Sequence, residues 1–247
     1  MGAEERQPAA LSFDKVVKRY GARTVLDHID LEVAAGECFA LVGVNGAGKT
    51  TLIKSLLDFT DLDGGGICIH GEPHGDTASR RHLAFLPERF IPPHYFTAGD
   101  FLKYMAQLHG VPYDARKVEA LYERLDLDKG SLGQAVRRYS KGMVQKLGLI
   151  ACFLSGRRLL VLDEPMSGLD PKARALVKSY LRELKARDYT IFMATHLLND
   201  VETLCDRLAI LHGGRLRFVG TPARCCLETR TDDLEQAYLA HISSTRE

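Results

Sequence analysis

The spacing of apolar and polar positions changes period several times along this 247-residue chain. Phe13–Arg19 and Thr24–Val33 carry roughly alternating apolar residues, the period of a half-buried strand. Gly36 turns the chain into Cys38–Val42, a continuous apolar run that reads as a buried strand. A helical pattern follows from about Lys49 to Asp58. Asp63-Gly64-Gly65-Gly66 reads as a turn, Ile67–His70 as a short alternating strand, and Leu83–Leu86 as another. Residues 97–155 then change character. Thr97 is placed to cap a helix running to about Leu108, Val111-Pro112-Tyr113 breaks it, and helical spacing resumes over Asp114–Leu125 and Lys141–Phe153. Beyond lie a strand at Leu159–Leu162, a helix at Pro171–Arg187, a strand at Thr190–Ala194 and a helix at Leu197–Cys205. Two strands, Arg207–Leu211 and Leu216–Val219, meet at Gly213-Gly214, and Thr221-Pro222 caps a final helical segment. The pattern predicts an α/β core with an antiparallel β flap and an inserted all-helical lobe.

Composition narrows the class. Hydrophobic residues make up 45% and charged residues 26%, which suits an ordinary globular domain of this length. The net charge of +1 gives no electrostatic footprint for nucleic acid. No apolar run approaches the ~18–20 residues that cross a bilayer; Cys38–Val44 and Leu147–Leu154 are the richest and far too short. The opening MGAEERQPAA is charged and lacks an apolar signal core, which argues against secretion, and Arg6 stands where N-myristoylation of Gly2 wants Ser or Thr. An ordinary flexible arm is expected over 1–10. The six cysteines, Cys38, Cys68, Cys152, Cys205, Cys225 and Cys226, form no C-x-x-C pair. They read as reduced thiols, several of them in apolar runs, rather than a disulfide framework or a metal site.

Two motifs carry chemistry. Gly43-Val44-Asn45-Gly46-Ala47-Gly48-Lys49-Thr50 fits G-x-x-x-x-G-K-[ST] at every fixed position, and Thr51 continues into the helix. The glycines let backbone N–H groups turn inward onto phosphate oxygens, and the helix N-terminus adds a favourable dipole. Lys49 is expected to reach the β- and γ-phosphates of ATP and Thr50 to ligate Mg²⁺. A ligand-free glycine turn is the plain alternative; the strand before and the helix after speak against it. The second motif is Leu159-Leu160-Val161-Leu162-Asp163-Glu164, an apolar strand ending in two carboxylates. Alone it could be a helix cap. Beside a phosphate loop, Asp163 would hold Mg²⁺ and Glu164 would orient or deprotonate the attacking water.

With further motifs in order, the chain resembles the nucleotide-binding subunit of an ATP-binding cassette (ABC) transporter over nearly its whole length. Tyr20, in Lys18-Arg19-Tyr20-Gly21, matches the aromatic that stacks on adenine. Glu88, in Phe85-Leu86-Pro87-Glu88, occupies the place where most members carry a Mg²⁺-touching Gln. Tyr139-Ser140-Lys141-Gly142-Met143, followed by Gln145-Lys146, matches the signature motif. Pro165–Asp170 matches the loop that crosses the dimer interface, and His196 the switch histidine that senses the γ-phosphate. Lys141 and Met143 replace the commoner Gly and Gln of the signature, and Glu88 replaces Gln. These departures are similar to the export-type branch that serves drugs, lipids, polysaccharides, sodium and copper-site maturation. Asp233–Leu239 resembles that branch's C-terminal helix, so a complete chain is expected.

The resemblance implies a P-loop NTPase core, a mainly parallel sheet flanked by helices, over 11–96 and 156–222. It places a helical lobe at 97–155 and a C-terminal helix at 223–245, all within a single domain at 11–245. It implies an ATPase with Lys49, Glu164 and His196 as catalytic residues and Thr50, Glu88 and Asp163 around the metal. ATP would be held by Tyr20, Gly43, Asn45, Gly46, Ala47, Gly48, Lys49, Thr50 and Thr51, with Ser140 and Gly142 supplied to the opposite subunit's nucleotide. The implied partners are a second copy or a homologous ATPase subunit in a head-to-tail pair, and a separate multi-span membrane permease, with no nucleic acid. Such a subunit would sit peripherally at the cytoplasmic face of the inner (plasma) membrane. A soluble ABC ATPase acting in translation or DNA maintenance is the alternative.

Overall fold

The computed structural model describes residues 9–243; the readings for Gly2 and Arg6, and the outer ends of the 1–10 arm and the 223–245 helix, lie outside them. Strand β2 (Arg23–Ala34) alternates buried and exposed positions over Ile29–Val33, the pattern of a sheet with one wet face, whereas β1 (Ala9–Tyr20) breaks the alternation with the buried run Val16–Lys18, where its register against β2 shifts. They pair antiparallel, and after β3 (Cys38–Val42) and α1 (Lys49–Leu56) the chain returns as β4 (Gly64–Ile69) and β5 (Glu72–Pro73) to complete the order β2-β1-β4-β5. The Gly64–Gly66 run therefore belongs to a strand rather than a turn, with Gly66 opposite Asp14 and Gly64 opposite Val17. The reason is steric. Gly65 sits at φ 78°, and a Cβ there would lie 2.3 Å from the carbonyl oxygens of Asp14 and Lys15, where the pairing is irregular.

β3 is buried at every residue, as is β7 (Leu159–Asp163), so both need apolar cover on two faces. They lie in a second sheet with β6 (Leu83–Leu86), β8 (Thr190–Thr195), β9 (Arg207–His212) and β10 (Arg215–Gly220), in the order β10-β9-β3-β8-β7-β6. All neighbours are parallel except the β9–β10 hairpin at the edge. One apolar cluster fills the space between the two sheets and α1, with Phe39 stacked on Phe192 at 6.1 Å. The other covers the opposite face with α2 (Ala98–His109), α3 (Ala115–Arg124), α4 (Lys141–Leu154), α5 (Pro171–Lys185), α6 (Leu198–Leu204), α7 (Pro222–Thr229) and α8 (Leu234–Ser243).

Helix starts follow local chemistry. Thr97 accepts from Asp100 N, Asp114 from Arg116 N, Ser140 from Met143 N and Asp170 from Ala173 N, each satisfying an orphan donor of its first turn. Tyr139, immediately before α4, is pinned in the helical lobe: its hydroxyl donates to Ser131 O at 3.0 Å and lies 3.1 Å from the Tyr122 hydroxyl. Burial pushes the Tyr122 phenol well above its ordinary pKa, so it stays a neutral partner. Tyr122→Phe is expected to cost about 1 kcal/mol and to lower the thermal midpoint by roughly 2–4 °C. Differential scanning calorimetry checks this; an unchanged midpoint would show that the hydroxyl pair contributes nothing.

Candidate active site

The turn after β3 has little steric freedom. A Cβ on Gly43 would sit 2.5 Å from the carbonyl oxygen of Leu211 on β9. Gly48, at φ 114° and the N-cap of α1, leaves only 3.0 Å between such a carbon and Val25 O. The loop therefore wraps tightly around the N-terminus of α1, where backbone N–H groups favour an anion. Lys49 is 6% exposed and folds back over the loop, its Nζ donating to Gly43 O at 2.6 Å and to Val44 O at 3.4 Å. The same Nζ lies 3.7 Å from Glu164 Oε1.

The parallel order β3-β8-β7 delivers three strand ends to one edge, the place where open α/β sheets bind ligands. Asp163 ends β7 and is 2% exposed; its Oδ2 accepts from Thr50 Oγ1 at 3.0 Å, while Oδ1 is buried without a partner. Burial pushes its pKa up to about 6; the nearby Glu88 and Glu164 charges push the same way, and the Thr50 hydrogen bond and Lys49 oppose them. Glu164 follows at φ 50°, a left-handed backbone rare outside glycine. Its N–H donates to Ala194 O at 2.8 Å, Thr195 Oγ1 donates to its Oε2 at 3.3 Å, and His196 Nδ1 lies 2.9 Å from its Oε1.

Lys49, Thr50, Asp163 and Glu164 border a cleft of about 440 Å³, which Asn45, Gly46, Gly48, Thr51 and Glu88 also line; His196 lies outside that lining, in a smaller hollow with Arg174, Asn199 and Glu235. Gly43 and Ala47 form its supporting turn rather than its wall. Tyr20 is 50% exposed at the end of β1, outside the lining, with Lys18 Nζ 5.3 Å from its ring centroid. Ser140 and Gly142 also lie outside the lining, at the start of α4. There a Cβ on Gly142 would meet Gly168 O at 3.1 Å, so the turn packs on the 165–170 loop. A buried carboxylate oxygen without a partner, beside a hydroxyl and a facing carboxylate, is a donor set that fits Mg²⁺. Thr50, Asp163 and Glu88 would hold it.

Sequence reasoning missed two contributors and gave two more residues that it quoted no role of their own. Arg23 and Val25 on β2 line the cleft, Thr195 holds the Glu164 carboxylate, and Gln145 bonds the backbone that follows Glu164. Only Gln145 carried a local signal, a polar residue four positions before Leu149 on the buried face of α4.

The sequence profile of the ABC transporter family matches residues 26–167, more than half of the chain. This chain belongs to the ABC transporter family, as an ATP-binding domain. In that family such domains hydrolyse ATP to power transport. An uncharacterised ABC transporter ATP-binding protein of Synechocystis is 39% identical over 201 residues, 80% of this ABC domain and 57% of the relative. The Nod factor export ATP-binding protein I of Rhizobium etli is 36% identical over 221 residues, 86% of this chain and 68% of that one. The chain thus spans little more than half of the cyanobacterial relative. Among solved structures, an ATP-binding subunit of an ABC transporter superposes with a TM-score of 0.86 at 31% identity, over 94% of this chain and 99% of its own. A bacterial Atm1-family ABC exporter with ATP bound gives a TM-score of 0.82 at 22% identity, a likeness of fold, over 100% of this chain and 44% of that one.

Proposed function

We propose that this ABC domain binds and hydrolyses ATP with Mg²⁺ and energises export through a separate membrane-spanning permease. One observation carries the hydrolytic part: Lys49 and His196 converge on the Glu164 carboxylate, at 3.7 Å and 2.9 Å, beside the Thr50–Asp163 pair. An ATP γ-phosphate seated on the loop would draw Lys49 Nζ away from both Gly43 O and Glu164, leaving the Glu164 carboxylate less neutralised and so more basic toward a proton of the attacking water. His196 keeps the carboxylate aimed and faces the transferred phosphoryl group. Mg²⁺ held by Thr50, Asp163 and Glu88 would neutralise phosphate charge. Half-exposed Tyr20 is free to stack on adenine, with Asn45, Gly46, Ala47, Gly48 and Thr51 cradling the phosphates.

Ser140 and Gly142 lie at a helix N-terminus away from their own cleft, which supports a role at the nucleotide of an opposing subunit, either a second copy or a homologue. Two such subunits, head to tail, complete two sites. Ile91 and Tyr95 are exposed on the loop after Glu88, an apolar surface suited to a permease's cytoplasmic segment. Among the described residues no helix is long and apolar enough to cross a membrane. The names of the relatives, Nod factor export among them, support a transporter over a soluble ATPase and export as the direction. The subunit would work at the cytoplasmic face of the inner membrane.

Affinity purification from detergent-solubilised membranes is expected to yield a stoichiometric multi-span membrane protein. Recovery of ribosomes or DNA with no membrane protein would overturn the transporter reading.

A further inference from the structure

The base Glu164 is held from two sides. From β8 come the bond to Ala194 O and the side chain of Thr195, and from just beyond it His196, which together fix its N–H and its carboxylate. Its carbonyl side presents a different problem, because the next residue is Pro165. Proline has no N–H and disfavours helical backbone in the residue before it. The Glu164–Pro165 peptide can therefore be gripped only through its carbonyl.

Gln145 supplies a grip. It lies in the second turn of α4, 6% exposed, and its Nε2 donates to Glu164 O at 3.3 Å and to Pro165 O at 3.1 Å. Ser167 N, 3.0 Å from Glu164 O, is the other donor there and belongs to the same loop. Gln145 is thus the tie from outside the loop to the carbonyl of a residue held at φ 50°. Such backbone persists only where its surroundings over-determine it. The same helix touches the loop again one turn earlier: the aliphatic stem of Lys141 lies about 3 Å from where a Gly168 Cβ would stand, and Gly142 faces Gly168 O.

We propose that Gln145 is a positioning residue for the hydrolytic base. Its amide, carried on the helix whose N-cap is Ser140, fixes the Glu164 and Pro165 carbonyls and ties the aim of Glu164 to the seat of α4. The inference rests on the hydrolysis reading above. It makes each subunit's signature turn and its own base parts of one connected unit, so a shift of α4 on contact with the opposing nucleotide reaches Glu164.

The test uses the full chain. Gln145→Leu and Gln145→Met keep the volume and remove both donors. In whichever variant shows wild-type circular dichroism, kcat for ATP is expected to fall roughly 10- to 100-fold, the size of effect that small misalignments of a reacting group produce. KM and the affinity for fluorescent ATP are expected to stay within about twofold of wild type. Added to Glu164→Gln, either change is expected to leave ATP-dependent pairing intact by size-exclusion chromatography. Wild-type turnover in a folded Gln145 variant, or a loss confined to nucleotide affinity, overturns the proposal. Failure of the hydrolysis reading is recognised separately, since Glu164→Gln would then turn over like wild type. Slow Glu164→Gln with fast Gln145→Leu sinks the Gln145 assignment alone.

Discussion

Replacing Glu164 by glutamine is expected to leave ATP binding intact and to lower turnover by at least about 100-fold, the scale of a lost general base. The substitution keeps the shape of the side chain and its acceptor for Thr195 Oγ1, so the loop and cleft stay in place. It removes the charge that Lys49 Nζ approaches at 3.7 Å and the basic oxygen beside His196. Without that charge Lys49 is freer to serve the phosphates, so affinity should hold or improve. With ATP bound and not consumed, the γ-phosphate that joins two subunits persists, and paired protein should accumulate on size-exclusion chromatography in Mg²⁺·ATP. Phosphate release at the wild-type rate in this variant would remove Glu164 from the base position.

Asp163→Asn should split stability from function. In the free protein Asp163 is a carboxylate 2% exposed, with Oδ1 unpartnered and with Glu88 and Glu164 nearby. Burial and those charges disfavour its ionised form, as its pKa of about 6 reports. Asparagine removes the charge and keeps an acceptor for Thr50, but leaves its own amide N–H group unpaired, so the gain is partial. The ligand-free variant is expected to be about 1–2 kcal/mol more stable, a rise of roughly 2–8 °C in thermal midpoint. The wild type should recover and exceed this with Mg²⁺·ATP, since a ligand at about 100 times its Kd adds about 2.7 kcal/mol. The variant should show no difference between ATP with and without Mg²⁺. A lower midpoint in the free variant, or a retained Mg²⁺ increment, would contradict the role given to Asp163. Thermal-shift measurements with and without chelator separate the outcomes.

The cleft illustrates why its parts differ in how easily they are read. The phosphate loop is contiguous, and its steric demands fall on Gly43 and Gly48 themselves, so residue types and spacing announce it. The same holds for the cap at Thr97, which satisfies a donor three residues away. Gln145 is the opposite case. Its partners Glu164 and Pro165 lie 19 and 20 residues along the chain, and nothing in the helical period of α4 points to them. Gly64–Gly66 misled the reading for a related reason. Three glycines suggest a turn, but close approach of the β1 backbone at Asp14 and Lys15 requires glycine at Gly65 within a strand.

By itself the sequence determined most of the element types, Gly64–Gly66 apart, because hydrophobic period and capping chemistry act over a few residues. It also determined the phosphate loop, whose glycines, Lys49 and Thr50 are set by one turn and one helix start. Only the tertiary structure decided which side chains meet. Thr50 reaches Asp163 across 113 residues and Glu164 reaches His196 across 32, because the order β3-β8-β7 brings three strand ends to one edge. That order is fixed by burying two sheet faces at once, a condition of the whole chain that no local pattern encodes. The same packing places Ser140 and Gly142 outside their own cleft, on a helix that Gln145 ties back to Glu164.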